Sequence, residues 1–122
     1  MEKYIDVMKE TTVLLETVQE GLAHIQALLK QGKGEASITL FSNVVQAFSS
    51  MEQSVFQLPE ELQPEEIMTR TEKVRHALDT TVEAYEAKEY VRVLEVMQFT
   101  LLPAFNRWNE ALDQTFRPYV VS

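Results

Sequence analysis

Residues 89–116 read EYVRVLEVMQFTLLPAFNRWNEALDQTF, and the fold turns on how the apolar side chains of this stretch are spaced. Tyr90, Leu94, Met97, Leu101, Phe105, Trp108, Leu112 and Phe116 recur in near-heptad steps, the stripe of a helix packed against other helices. The stripe keeps its phase across Pro103. One helix over about 89–116 is therefore expected, kinked at Pro103, where the proline withdraws a bond from the Phe99 carbonyl. Pro118 is expected to end it, leaving Tyr119-Val120-Val121-Ser122 as a short apolar tail, packed back or frayed. On nearly the opposite side stand Val93, Val96 and Phe99, at spacings of three, with Pro103 extending the line. Either a corner of the fold or the kink covers this reverse stripe, or it is an exposed strip for self-association or a partner helix.

The preceding segment fixes where this helix begins. A third helix over 64–87 has Ile67, Thr71, Val74, Leu78, Val82 and Tyr85 as inward positions. Continued in register, that stripe would land on the charged residues Lys88, Glu89, Arg92 and Glu95. The apolar stripe instead resumes at Tyr90, Leu94 and Met97, displaced by about 150°, which requires a tight turn near Glu86 to Glu89. Upstream, Pro59 and Pro64 bound a connector over 58–64. Pro64 suits a first helical position, with Glu65 and Glu66 against the positive end of the helix dipole.

The first helix, over 2–31, carries a seam of Tyr4, Met8, Thr11, Leu15, Val18, Leu22, Ile25 and Leu29 in steps of four and three. Lys30 and Gly32 stop it, and Gly32-Lys33-Gly34 is short enough to force a reversal. The second helix, over 35–57, has no charged residue between Ala36 and Met51. Its apolar arc includes Ile38, Phe41, Val44, Phe48, Met51 and Val55. The opposite arc, with Thr39, Ser42, Gln46 and Ser50, is small and neutral where a solvated face usually carries Lys and Glu. It is either an ordinary exposed face or a second docking surface that permits close approach. The expected fold is all-α: one domain over 1–122, an antiparallel up-down-up-down four-helix bundle whose fourth helix is kinked at Pro103. A dimer in which helices 2 and 4 of two chains build a larger bundle is the alternative.

The chain has no cysteine, which excludes disulfides, thiolate catalysis and thiolate metal sites. Of the net charge of -8, half lies in residues 57–66, and no basic stripe exists to displace counterions. Nucleic acid and anionic membrane surfaces are therefore not expected as partners. The longest apolar run, Leu101 to Phe105, is far short of a membrane span, and Met1-Glu2-Lys3-Tyr4-Ile5-Asp6 lacks a basic n-region followed by an apolar h-region, so a cytoplasmic location is expected. His24 and His76 follow Glu20 and Glu72 at four residues, not at the Glu-x-x-His spacing of bundle metal sites, and both face outward. Gly32-Lys33-Gly34 lacks the phosphate-cradling frame of a P-loop. No serine sits in a nucleophile elbow, and Glu60-Glu61 lie in a wet connector where burial cannot tune a catalytic carboxylate. No cofactor, metal or catalytic constellation is expected.

These readings favour a non-enzymatic interaction module acting through helix surfaces: an adaptor, a regulator or a small acidic export-type chaperone. Type III and flagellar secretion chaperones are similar in general character, being small, acidic and helical, and the likeness is one of class without a shared motif. Its partner would be another protein or a second copy of the chain, met through helix 2 or helix 4. The candidate contact residues are Val93, Val96, Phe99 and Pro103, with Thr39, Ser42, Gln46 and Ser50 as a second face. The alternative is a small-molecule binder or enzyme with a pocket in the core near the Pro103 kink, lined by Met51, Met97, Phe105 and Trp108.

Overall fold

A computed structural model describes residues 2–120, and all its regular elements are helical. These are α1 (Glu2–Lys30), α2 (Gly34–Phe56), α3 (Glu65–Glu86), α4 (Tyr90–Val96) and α5 (Leu102–Val120), with a short 3-10 turn at Glu60–Leu62. A π-turn, Met97–Leu101, joins α4 to α5.

The α1 seam is buried from Met8 through Thr11, Leu15, Val18, Leu22, Ile25 and Leu29. Thr11 is tolerated there because its hydroxyl donates to the Val7 carbonyl one turn back, at 2.8 Å. Phe41, Val44, Phe48, Met51 and Val55 of α2 complete this half of the core, and each such side chain stabilises the fold by roughly 1.5–3 kcal/mol. The connector contributes as well: Leu58 and Leu62 are buried, while Glu60 and Glu61 stay in solvent. Gln63 folds back so that its amide donates to the Phe56 carbonyl at 3.0 Å and to that of Leu58, satisfying the open end of α2. Pro64 proves to be the extended residue before α3, and the helix starts one residue later than expected.

On α3 the buried face is Ile67, Thr71, Val74, Ala77, Leu78, Thr81 and Ala84. Val82 and Tyr85, expected inward, sit at its margin, half-buried. In the second half of α3 the buried positions include the small residues Ala77, Thr81 and Ala84, whose size lets a neighbouring helix approach closely.

The largest revision concerns the last helix. Its buried residues are Val93, Met97, Leu101, Phe105, Trp108, Ala111, Leu112 and Phe116, while Tyr90 and Leu94 are only half-buried. Val93, Met97, Leu101 and Phe105 are each four residues apart. At about 100° per residue, each such step overshoots a full turn by about 40°. The π-turn absorbs the excess: the Leu102 N–H reaches back five residues to the Met97 carbonyl. Pro103 then falls in the first turn of α5, where a missing N–H is tolerated. Pro118 does not end the helix, which continues to Val120. Near a terminus the carbonyl it leaves open, that of exposed Gln114, remains in reach of water. Of the expected tail, Val121 and Ser122 lie outside the described residues.

One layer ties α2, α3 and α5 together. Fully buried Trp108 packs against Phe48 in a tilted pair and against Phe105 edge-on, with ring centroids 5.1 and 5.9 Å apart. Its indole N–H donates to the Thr71 hydroxyl at 2.8 Å, which in turn donates to the Ile67 carbonyl at 2.6 Å. Arg75 lies over the Phe48 ring and bonds Glu52 at 2.8 Å and Ser49 at 3.0 Å. Towards the α1–α2 turn, Tyr85 and Ser37 share a hydrogen bond of 2.7 Å, and Ser37 donates to the Gly34 carbonyl at 2.6 Å. Partner numbers thus rise along α2 as they fall along α3.

The turns 31–33 and 87–89 use the same device. At each, a residue with positive φ, Gly32 (75°) or Lys88 (58°), closes a Schellman pair of bonds. Gly32 and Lys33 N–H groups reach Leu29 and Leu28, and Lys88 and Glu89 N–H groups reach Tyr85 and Ala84. The turn at 86–89 is where the conflict of phase required one. Gly34 is fixed by the side chain of Tyr90, whose Cβ and ring carbons already fill the space a methyl group would need.

A left-handed lysine costs about 1–2 kcal/mol, offset in part by the entropy glycine loses on folding. Lys88→Gly is therefore expected to stabilise the protein by about 0.5–1 kcal/mol, read as a higher urea midpoint at unchanged slope. Burial raises the Tyr85 phenol above its ordinary 10.0, against a smaller opposing effect of the Ser37 bond. The stability this group contributes is complete below its unfolded pKa of about 10 and is lost as pH rises through the higher folded value. Alkaline titration of the melting temperature should show a loss that Tyr85→Phe diminishes.

Candidate functional site

The α2 face meets expectation in its exposure: Thr39, Ser42, Gln46 and Ser50 all lie in solvent. The reverse stripe on the last helix does not survive as a unit. Val93 is fully buried, Val96 is half-buried, and Phe99 is 77% exposed. Across the π-turn Val93 shares the inward line of Met97 and Leu101, whereas Phe99 keeps the outward position that its phase already gave it. Val93 is thus a core residue and offers nothing to a partner. Pro103 is half-buried beside Phe99.

Phe99 and Pro103 form one wall of a cleft of about 520 Å³ between α3 and the last helix, together with Thr100, Ala104 and Arg107. The facing wall is the outer side of α3: Thr69, Arg70, Glu72, Lys73 and His76. The cleft opens outward. Met51, Met97, Phe105 and Trp108, the side chains that an interior pocket would need, are all at most 1% exposed, and the Phe48, Phe105 and Trp108 rings pack on one another.

The cations of the cleft differ in what they touch. Arg70 is held by Glu66 of its own helix, Nε to Oε1 at 3.0 Å. Among the described residues neither Lys73 nor Arg107 has a carboxylate within 4.0 Å. Arg75, two residues from Lys73, is committed to α2 through Glu52, a bond that raises its pKa further against the effect of partial burial. His76 and Glu72 both reach the cleft, yet among the described residues no group of three or more potential metal ligands comes together. The arrangement can offer an apolar surface beside two unpaired positive charges. Among the described residues neither the Thr69 nor the Thr100 hydroxyl of the cleft is hydrogen-bonded to His76 or Glu72.

Phe99 and Pro103 were legible in the sequence; Arg70, Lys73 and Arg107 were missed. Arg107 continues the four-residue step from Phe99 through Pro103, and Lys73 follows Arg70 by three on α3. Those spacings were the available signal, hidden by a segment charge that sums to zero over 67–88.

A second, shallower cleft of about 240 Å³ lies between α2 and α3, lined by Ile38, Phe41, Ser42, Val45, Val82, Tyr85 and Glu86. Ile38, expected in the core arc, is 45% exposed there, and Ser37 takes the buried position beside it. Among the described residues no helix is long and apolar enough to cross a membrane.

Comparison with known proteins points to a family. The model of a family described as a domain of unknown function, DUF8042, matches residues 6–111 and so takes in both walls of the larger cleft. No curated protein and no solved structure was found to match the chain.

The contrast along the last helix is directly testable. Phe99→Glu should change stability by no more than about 0.5 kcal/mol. Val93→Glu places an unpaired carboxylate in the core and should cost several kcal/mol. Urea denaturation of the two variants measures the difference.

Proposed function

We propose that this protein, which belongs to the DUF8042 family, is a non-enzymatic protein-interaction module. It would serve as an adaptor, a regulator or a small acidic export-type chaperone in the cytoplasm. The observation that carries this reading is the exposure of Phe99, at 77%, in a cleft bounded by two helices. A large aromatic side chain left in water next to a furrow is the usual mark of a surface that a partner covers. Support also comes from the π-turn that contains Phe99, a form of helix frequent at functional positions.

The scaffold we propose is an up-down-up-down four-helix bundle with its last member kinked where the π-turn meets Pro103. The antiparallel run of α2–α3 pairs, from Ser37 with Tyr85 to Glu52 with Arg75, favours that order. In this reading the contact residues are Phe99 and Pro103, with Val96 at the margin. Thr39, Ser42, Gln46 and Ser50 remain a second, uncharged face for a protein partner or another copy of the chain. Neither nucleic acid nor a membrane is part of the reading.

Phe99→Glu should leave the circular dichroism spectrum and melting temperature of the protein in place while abolishing its recovery of the native partner. A variant that retains every partner, together with a melting temperature raised by a metabolite in the wild type, would replace this reading with that of a small-molecule binder.

A further inference from the structure

Two rows of side chains face each other across the α3–α5 cleft. Phe99, Pro103 and Arg107 follow at steps of four, and Arg70, Lys73 and His76 at steps of three. Phe99, Pro103 and Ala104 make the last helix's wall largely apolar. The chain has 19 carboxylates against 11 lysines and arginines, yet among the described residues Lys73 and Arg107 are left without an ion pair. These two cations line the same cleft as Phe99, the most exposed of the large apolar side chains described. On a strongly acidic protein the apolar cleft therefore carries locally the opposite sign.

Resting on the interaction reading above, we propose that the cleft receives an amphipathic helix from a partner protein, with an apolar anchor flanked by aspartate or glutamate. The anchor packs against Phe99, Pro103 and Ala104, and the flanking carboxylates pair with Lys73 and Arg107. From Thr69 to His76 the α3 wall is about 11 Å long at 1.5 Å per residue, room for about two turns of the incoming helix. Arg70 contributes less, because Glu66 already holds it. Nucleic acid does not suit the site: two free cations beside Glu72 release too few counterions. A second copy related by a two-fold axis does not suit it either, since groove would meet groove and Lys73 and Arg107 would face their own like.

The test is selection from a displayed library of random peptides, each of about 15 residues so that helix is attainable, against the full-length protein, followed by titration of the enriched peptides. Enriched sequences should carry acidic residues three or four positions from an apolar one. Their binding should be lost in Phe99→Glu and weakened about tenfold or more when Lys73→Glu and Arg107→Glu are combined, with the deficit shrinking at high salt. Peptides that need Phe99 but are neutral or basic, and indifferent to the double reversal, would overturn the acidic partner and leave the interaction reading standing. A library that yields no peptide dependent on Phe99 counts against the interaction reading itself. Sedimentation of the free protein gives the remaining outcome: a dimer broken by Phe99→Glu makes the occupant a second copy and overturns the proposal.

Discussion

The last third of the chain depends on keeping residues four apart on one side of a helix. Val93, Met97, Leu101 and Phe105 are all buried, yet a regular α-helix would spread them over about 120°. The wider turn at Met97–Leu101 reconciles spacing with burial. Two things follow from that adjustment. Pro103 gains a seat in a first turn, and Trp108 reaches the Thr71 hydroxyl and the Phe48 ring. Phe99, opposite the buried line, stays in solvent.

Lys73 and Arg75 show how differently two basic residues on one helix can be used. Arg75 crosses to α2, where Glu52, Ser49 and the Phe48 ring receive it, so its charge serves cohesion. Lys73, on the cleft side, touches no carboxylate among the described residues and keeps its charge available. Buried polar groups are otherwise satisfied at home. The threonines of the core, Thr11, Thr71 and Thr81, each donate to a carbonyl one turn back, so none brings an unpaid hydroxyl inside.

How much of this could be read from the sequence depends on which physical signal carried it. The α1 seam was legible from Met8 to Leu29 because every inward residue but Thr11 is large and apolar. The turn before Tyr90 was legible because the alternative would have buried Lys88, Glu89, Arg92 and Glu95. The π-turn was not, since Tyr90 and Leu94 offer an equally apolar stripe for a regular helix, and only the neighbouring helices decide that Val93 lies deeper. On α3, hydrophobicity favoured Val82 and Tyr85 over Thr81 and Ala84, whereas close approach rewards small size. Phe99 and Pro103 were found by their phase. Lys73 and Arg107 were not, because they come from different helices and a summed charge carries no direction.

The contacts between elements divide the molecule in two. α1 lies chiefly against α2, and α3 chiefly against α4 and α5, while α2 and α3 meet more sparsely, mainly through Tyr85 and Arg75. Each half closes through a turn of three residues, 31–33 or 87–89, so much of its packing forms without gathering distant parts of the chain. Assembly then reduces to docking two helical halves, through α1 against α4 and α5 and through the Phe48–Trp108 pair. A chain built this way has a low average separation between its contacting residues, the condition under which small helical domains fold fastest.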